Sequence, residues 1–66
     1  MPAESGSRRL VDRYPVGMLV EIMLADARWR SGRVVRHDHP GLWVETEQGS
    51  HWFVTNGRHI RPPSGP

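Results

Sequence analysis

The chain has 66 residues and a mass of 7.5 kDa, is 36% hydrophobic and 24% charged, and has a mean hydropathy of −0.59. That is one domain at most, with no apolar run long enough to place a membrane-crossing helix beside a fold. Cysteine is absent, which removes disulfides, thiolate metal sites and cysteine nucleophiles together, and nine basic against seven acidic residues leave a net charge of only +2, too weak to impose a nucleic-acid partner.

In chain order, the opening Met1-Pro2-Ala3-Glu4-Ser5-Gly6-Ser7 lacks the apolar stretch of a secretory signal, and a cytoplasmic location without membrane contact is expected. Small, polar and arginine-bearing, residues 1–13 read as a flexible arm. Val20, Ile22 and Leu24 then alternate with Glu21 and Met23, which predicts a strand. Leu, Met, Ala and Glu between Met18 and Arg30 also favour a helix, but their apolar members do not recur at i, i+3 and i+4. A second strand runs from Trp29 to about His37, and Asp38-His39-Pro40-Gly41 reads as a turn, with Pro40 fixing φ and Gly41 taking the left-handed position. In the third strand Leu42, Val44 and Thr46 face inward while Trp43, Glu45 and Glu47 face outward. Gln48-Gly49-Ser50 connects to a fourth strand, His51 to Thr55; Asn56 to His59 forms a single 3₁₀ turn before a short strand at Ile60. The residues after it, rich in proline, cannot extend a sheet or helix.

The expectation is an all-β fold, a small five-stranded antiparallel sheet bent onto itself, over residues 14–62, with flexible ends at 1–13 and 63–66. Its inward set is Val20, Ile22, Leu24, Val34, Leu42, Val44, Trp52, Val54 and Ile60, and Trp29 is expected to cover one end of the core. A domain of this length buries only about 60% of its unfolded surface, so oligomerisation offers it a gain in stability.

The order Val16-Gly17, Val20 and Ile22, Trp29 with Gly32 and Val34, Gly41 with Val44, then Gly49, Val54 and Ile60-Arg61-Pro62 resembles SH3-like small barrels of the Tudor and KOW kind, over Val16 to Pro62. That resemblance implies a nucleic-acid, peptide or assembly module. Trp29 to Val34, Gly41 to Glu47 and Ser50 also look similar to one enzyme with this barrel, the plasmid-borne type II dihydrofolate reductase. That family holds cofactor and folate with a Val-Gln-Ile-Tyr segment in a pore built from four copies. Here His51-Trp52-Phe53-Val54 stands in its place, and the family's pore lysine has no counterpart. The likeness therefore implies a shared barrel rather than a shared activity.

Other chemistry finds little support in the spacing. His37 and His39, with His51 or His59, would need to converge within about 2.1 Å of a zinc ion, and His-Asp-His beside Pro-Gly is more simply a polar turn. Ser50 and His51 are neighbours and so point to opposite faces of a strand, unlike a nucleophile and its base. Glu45 and Glu47 share a face about 7 Å apart, as solvated strand residues do. No catalytic residue, cofactor or metal is expected. The outward side is more informative: Trp43, Phe53 and Val35 form one apolar patch edged by Arg33, Arg36 and His51, with Arg28 and Arg30 added as further phosphate contacts. All nine basic residues are arginine, suited to phosphate forks and aromatic stacking, although GC-rich coding sequence gives the same composition with no function attached. The expected role is a non-enzymatic binding module that contacts nucleic acid through this surface, the alternatives being a protein partner or a homo-oligomer.

Overall fold

The computed structural model describes residues 9–64. A helical turn, α1 (Leu10–Arg13), precedes β1 (Leu19–Met23), β2 (Trp29–Asp38), β3 (Gly41–Thr46) and β4 (His51–Val54). A 3₁₀ turn at Gly57–His59 then leads to β5 (Ile60–Arg61). The expected five antiparallel strands form one sheet in the order β4-β3-β2-β1-β5. The sheet is open: β4 and β5 are its edges and do not pair with each other.

One face of the sheet is apolar because the period-two pattern places Val20 and Ile22 of β1, Val34 of β2, Leu42 and Val44 of β3, Val54 of β4 and Ile60 of β5 on the same side. All seven are buried, and the partly buried Leu24 packs against them. Leu10 and Tyr14 complete this core. Spaced i, i+4 across α1, they lie on one side of the turn, and the Tyr14 hydroxyl donates to the Ile60 carbonyl at 3.4 Å. The segment from Leu10 to Arg13, expected to belong to a flexible arm, is therefore part of the folded unit; residues 1–8 of that arm and residues 65–66 of the tail lie outside the described residues.

Three further expectations are corrected. Trp52 stands opposite Val44 and so points to the core side, but it remains 43% exposed, because β4 is an edge with no strand beyond it to cover an indole. Trp29 does not close the core. It pairs with Met23 on the other face and lies under the Arg61 guanidinium, 3.8 Å from the ring centre. Gly41 is not left-handed; it is the first residue of β3, following a cis His39–Pro40 bond, the arrangement of a type VI turn. Its need for glycine is one of space, since a Cβ there would collide with the Val54 carbonyl and come within 2.9 Å of Thr55 Cγ2.

The two other hairpins share one turn geometry and differ in its key residue. Between β3 and β4, Gly49 N–H donates to Thr46 O at 2.9 Å with Gly49 at φ 88°. Between β1 and β2, Ala27 N–H donates to Leu24 O at 2.9 Å with Ala27 at φ 64°. Three-residue loops of this type end on a left-handed residue, a conformation that costs a residue with a Cβ about 1–2 kcal/mol. The Asp26 side chain offsets part of this, since its Oδ1 accepts from Arg28 N–H at 3.0 Å and its Oδ2 from Arg30 at 2.7 Å. Ala27→Gly relieves the local cost against the added freedom of glycine in the unfolded chain. The expected outcome is a gain of about 0.5–1 kcal/mol in urea-unfolding free energy; an unchanged or lower midpoint contradicts the turn geometry.

Candidate interaction surface

The outer face is set by a break in register between β2 and β3. Val34 pairs with Val44, but the next pair is Arg36 with Trp43, so Val35 has no partner of its own. Such a β-bulge kinks the strand and re-aims the residues that follow. Strict alternation would turn Arg36 toward the core; the bulge instead brings it opposite Trp43 on the outer face. His37 consequently falls opposite the buried Leu42, and its Nε2–H donates to the Tyr14 carbonyl at 2.8 Å.

Across that face the register forms two rows. In the first, Arg36, Trp43 and Phe53 follow one another through β2, β3 and β4. The Trp43 and Phe53 ring centres are 5.1 Å apart at an interplanar angle of 39°, and the Arg36 guanidinium lies 5.9 Å from the Trp43 ring centre. These are aromatic and cation–π separations. In the second row Leu19, Arg33, Glu45 and His51 follow one another from β1 to β4. Val35, Arg36, Trp43 and His51 frame a shallow depression of about 390 Å³.

Six of the eight expected residues thus come together: Trp43, Phe53, Arg33, Val35, Arg36 and His51. Phe53 is 43% exposed, whereas Trp43 is only half-buried, not the fully solvated ring that alternation alone suggests. Its indole Nε1 is buried and has no hydrogen-bond partner among the described residues. Arg33 donates to the Gly17 carbonyl at 3.2 Å, and Arg36 makes a long contact of 3.8 Å with Asp38. Arg28 and Arg30 are placed elsewhere. Arg28 is exposed at the hairpin before β2, at the opposite end of that strand from Arg36. Arg30 stands opposite Ile22, on the core side, and is held by Asp26 at 2.7 Å.

The expected pairings of chemical groups are also placed. Ser50 N–H donates to Thr46 Oγ1 at 3.3 Å, which ties it to the turn before β4. No group of three or more His, Asp or Glu side chains suited to a metal occurs among the described residues, nor does any helix long and apolar enough to cross a membrane.

One arrangement on this face has no signal in strand spacing. Arg61 Nε donates to Glu21 Oε1 at 2.7 Å, Ser64 Oγ donates to Glu21 Oε2 at 3.3 Å, and Arg61 covers Trp29. The Pro-rich segment after β5 is thereby fastened along β1. Adjacent partners on β1 and β5 are legible only once the register of Glu21 with Arg61 is known.

No protein-family model, no curated protein and no solved structure matches the chain.

The hydrogen bond from Arg61 holds the Glu21 carboxyl below its ordinary value of 4.5, and the bond from Arg30 lowers Asp26 from 3.8. A carboxyl depressed in the folded state favours folding fully above its unfolded value, and that contribution is lost as pH falls through the folded value. Glu21→Gln is therefore expected to lower the urea midpoint near neutral pH and to flatten its acid decline. The two proteins converge at the acid end of the profile, once Glu21 is protonated in the folded state as well. Parallel pH profiles contradict the role of the Glu21–Arg61 bond.

Proposed function

We propose that this chain is a non-enzymatic binding module of the SH3-like barrel type that takes single-stranded nucleic acid on the outer face of its sheet. The barrel reading is supported by the strand order, with β1 shared between β2 and β5, and by the 3₁₀ turn before the short last strand. The observation that carries the ligand is the Trp43–Phe53 pair at 5.1 Å with Arg36 beside it.

An exposed phenyl ring against an indole offers a base a stacking surface worth about 1–3 kcal/mol. Arg36 lies beside that surface, and Arg33 and His51 stand in the neighbouring row of the same face, where cationic groups can meet the phosphates of a bound strand. Single strands suit it because their bases have free faces and every base has one. The non-enzymatic reading draws on His37, whose Nε2 is committed to Tyr14, and on Ser50, whose N–H is tied to the Thr46 hydroxyl in the turn before β4. A protein partner on the same patch is the second reading. It is favoured by Glu45 and Glu47, whose carboxylates oppose phosphate close by and form no ion pair among the described residues.

Titration of the protein with a mixed-sequence single-stranded oligonucleotide, followed by tryptophan fluorescence, tests the proposal. Affinity is expected to fall with salt, log K against log salt having a slope of about −0.7 for each phosphate neutralised. Arg36→Gln should reduce that slope by about 0.7, Phe53→Ala should weaken binding about tenfold, and Arg28→Gln should change little. Binding no tighter than about 1 mM at low salt, or equal affinity for Phe53→Ala and wild type, refutes the nucleic-acid reading and leaves the protein partner.

A further inference from the structure

The two edges of the sheet are treated differently by the sequence. β5 is two residues long, ends on Arg61 and runs into Pro62-Pro63, the combination of shortness, charge and proline that blocks strand addition. β4 has none of these protections. Its sequence is His-Trp-Phe-Val, and from Gln48 to Gly57 there is no Asp, Glu, Lys, Arg or Pro. Trp52 and Phe53 are each 43% exposed, on opposite faces of the strand.

The hydrogen-bond phase of β4 shows what the edge offers. Thr46 N–H donates to Ser50 O at 2.8 Å, so these two residues are a hydrogen-bonded pair. Such pairs alternate along an antiparallel ladder. Trp52 opposite Val44 and Val54 opposite Leu42 therefore spend their backbone groups on β3. His51, Phe53 and Thr55 turn their N–H and C=O groups outward, to the free edge. Among the described residues no strand pairs with this edge. Beside it runs an open groove of about 200 Å³, bounded by the end of β1 from Ile22 to Ala25 on one wall and Trp52 to Asn56 on the other.

We infer that β4 is the interface for a second copy of this chain, the two β4 strands pairing antiparallel across a two-fold axis centred on Phe53. Three constraints select this pairing. An isologous contact must place Phe53 opposite itself or an equivalent centre, and the residues facing one another must share a face of the sheet. Phe53 opposite Phe53 keeps Trp52 opposite Val54 on the core side, whereas a shift of one residue would set core-facing against solvent-facing side chains. Centring on Phe53 also matches the phase of the free groups. The two Phe53 residues exchange N–H···O bonds, and His51 and Thr55 exchange two further pairs.

Charge favours a second copy over other occupants. The chain is cationic overall, but the segment from Gln48 to Gly57 carries no formal charge, so two copies approach there without opposed like charges. A nucleic acid, by contrast, finds no cation along that edge. The contact is small. Trp52 and Phe53 each still expose roughly 100 Å² on the scale of an aromatic side chain. The interface then falls below the 1,200 Å² or so of stable complexes, and the dimer is a weak one, half-formed at about 100 μM. Across the two-fold axis the aromatic row doubles, running Trp43–Phe53–Phe53–Trp43 through two chains.

The inference stands without the nucleic-acid reading, and its test contains no nucleic acid. Sedimentation equilibrium of the full chain between about 10 μM and 1 mM is expected to show the mass rise from 7.5 kDa toward twice that value. A chain of this length is accessible to chemical synthesis, so the Phe53 amide can be N-methylated, which deletes the outward N–H and leaves the side chain. That variant should remain monomeric throughout, as should Phe53→Lys, which sets two cations opposite each other and serves as the second variant where N-methylation disturbs folding. Near-UV circular dichroism confirms that each variant is folded. A wild-type chain that is monomeric at 1 mM overturns the inference. So does a dimer that survives both changes; if that dimer is lost with Trp43→Ser, the copies meet through the outer face instead.

Discussion

The pairing of β2 with β3, and the single unpaired residue within it, is the constraint on which the rest of this molecule depends. Before the bulge, Gly32 and Val34 face the core opposite Thr46 and Val44; after it, Arg36 faces outward opposite Trp43. One strand thus supplies the centre of the apolar core with one half and the charged side of the aromatic row with the other. In a regular ladder, with Val35 paired rather than bulged, Arg36 would carry its charge toward the core side opposite the buried Leu42, a position where an unpaired guanidinium costs several kcal/mol. The bulge also increases local twist, which helps a sheet of only five short strands to enclose a core.

That core is small, and its completion draws on residues outside the sheet. Leu10 and Tyr14 pack from one side, and Arg61 with Glu21 and Trp29 secures the segment after β5 on the other face. β5 is sealed by its own sequence, while β4 leaves backbone groups and two large rings in solvent. In so small a domain, that concentration of exposed aromatic surface at one edge and on the adjoining outer face has a direct physical reading. It is where the proposed contacts would recover burial that the fold alone does not provide.

Much of the architecture was legible in the sequence. The alternation of Leu42, Val44 and Thr46 against Trp43 and Glu45, and of Val20 and Ile22 around Glu21, is local information, and local pattern fixes which face each side chain takes. The 3₁₀ turn was equally visible because Asn56 Oδ1 accepts from Arg58 N–H at 2.8 Å, a local side-chain bond. What was not legible depends on distant partners. Trp52 has the parity of a core residue, and only the identity of β4 as an edge leaves it exposed. The position of Arg36 depends on a register shift that period-two counting cannot detect, and Trp29 was misplaced because its cover, Arg61, is distant in sequence. The role of Leu10 and Tyr14 did have a signal, the i, i+4 spacing of two apolar residues, obscured by the polar composition around them.

The placement of the outer face is tested most directly by the cross-strand backbone contacts of β2 and β3 in solution, read as inter-strand nuclear Overhauser effects in a uniformly labelled sample. The bulged register requires contacts linking Val34 with Val44 and Arg36 with Trp43, with Val35 passed over. A regular ladder in which Val35 faces Trp43 and Arg36 faces Leu42 would remove the bulge, return Arg36 to the core side and contradict the account of this surface.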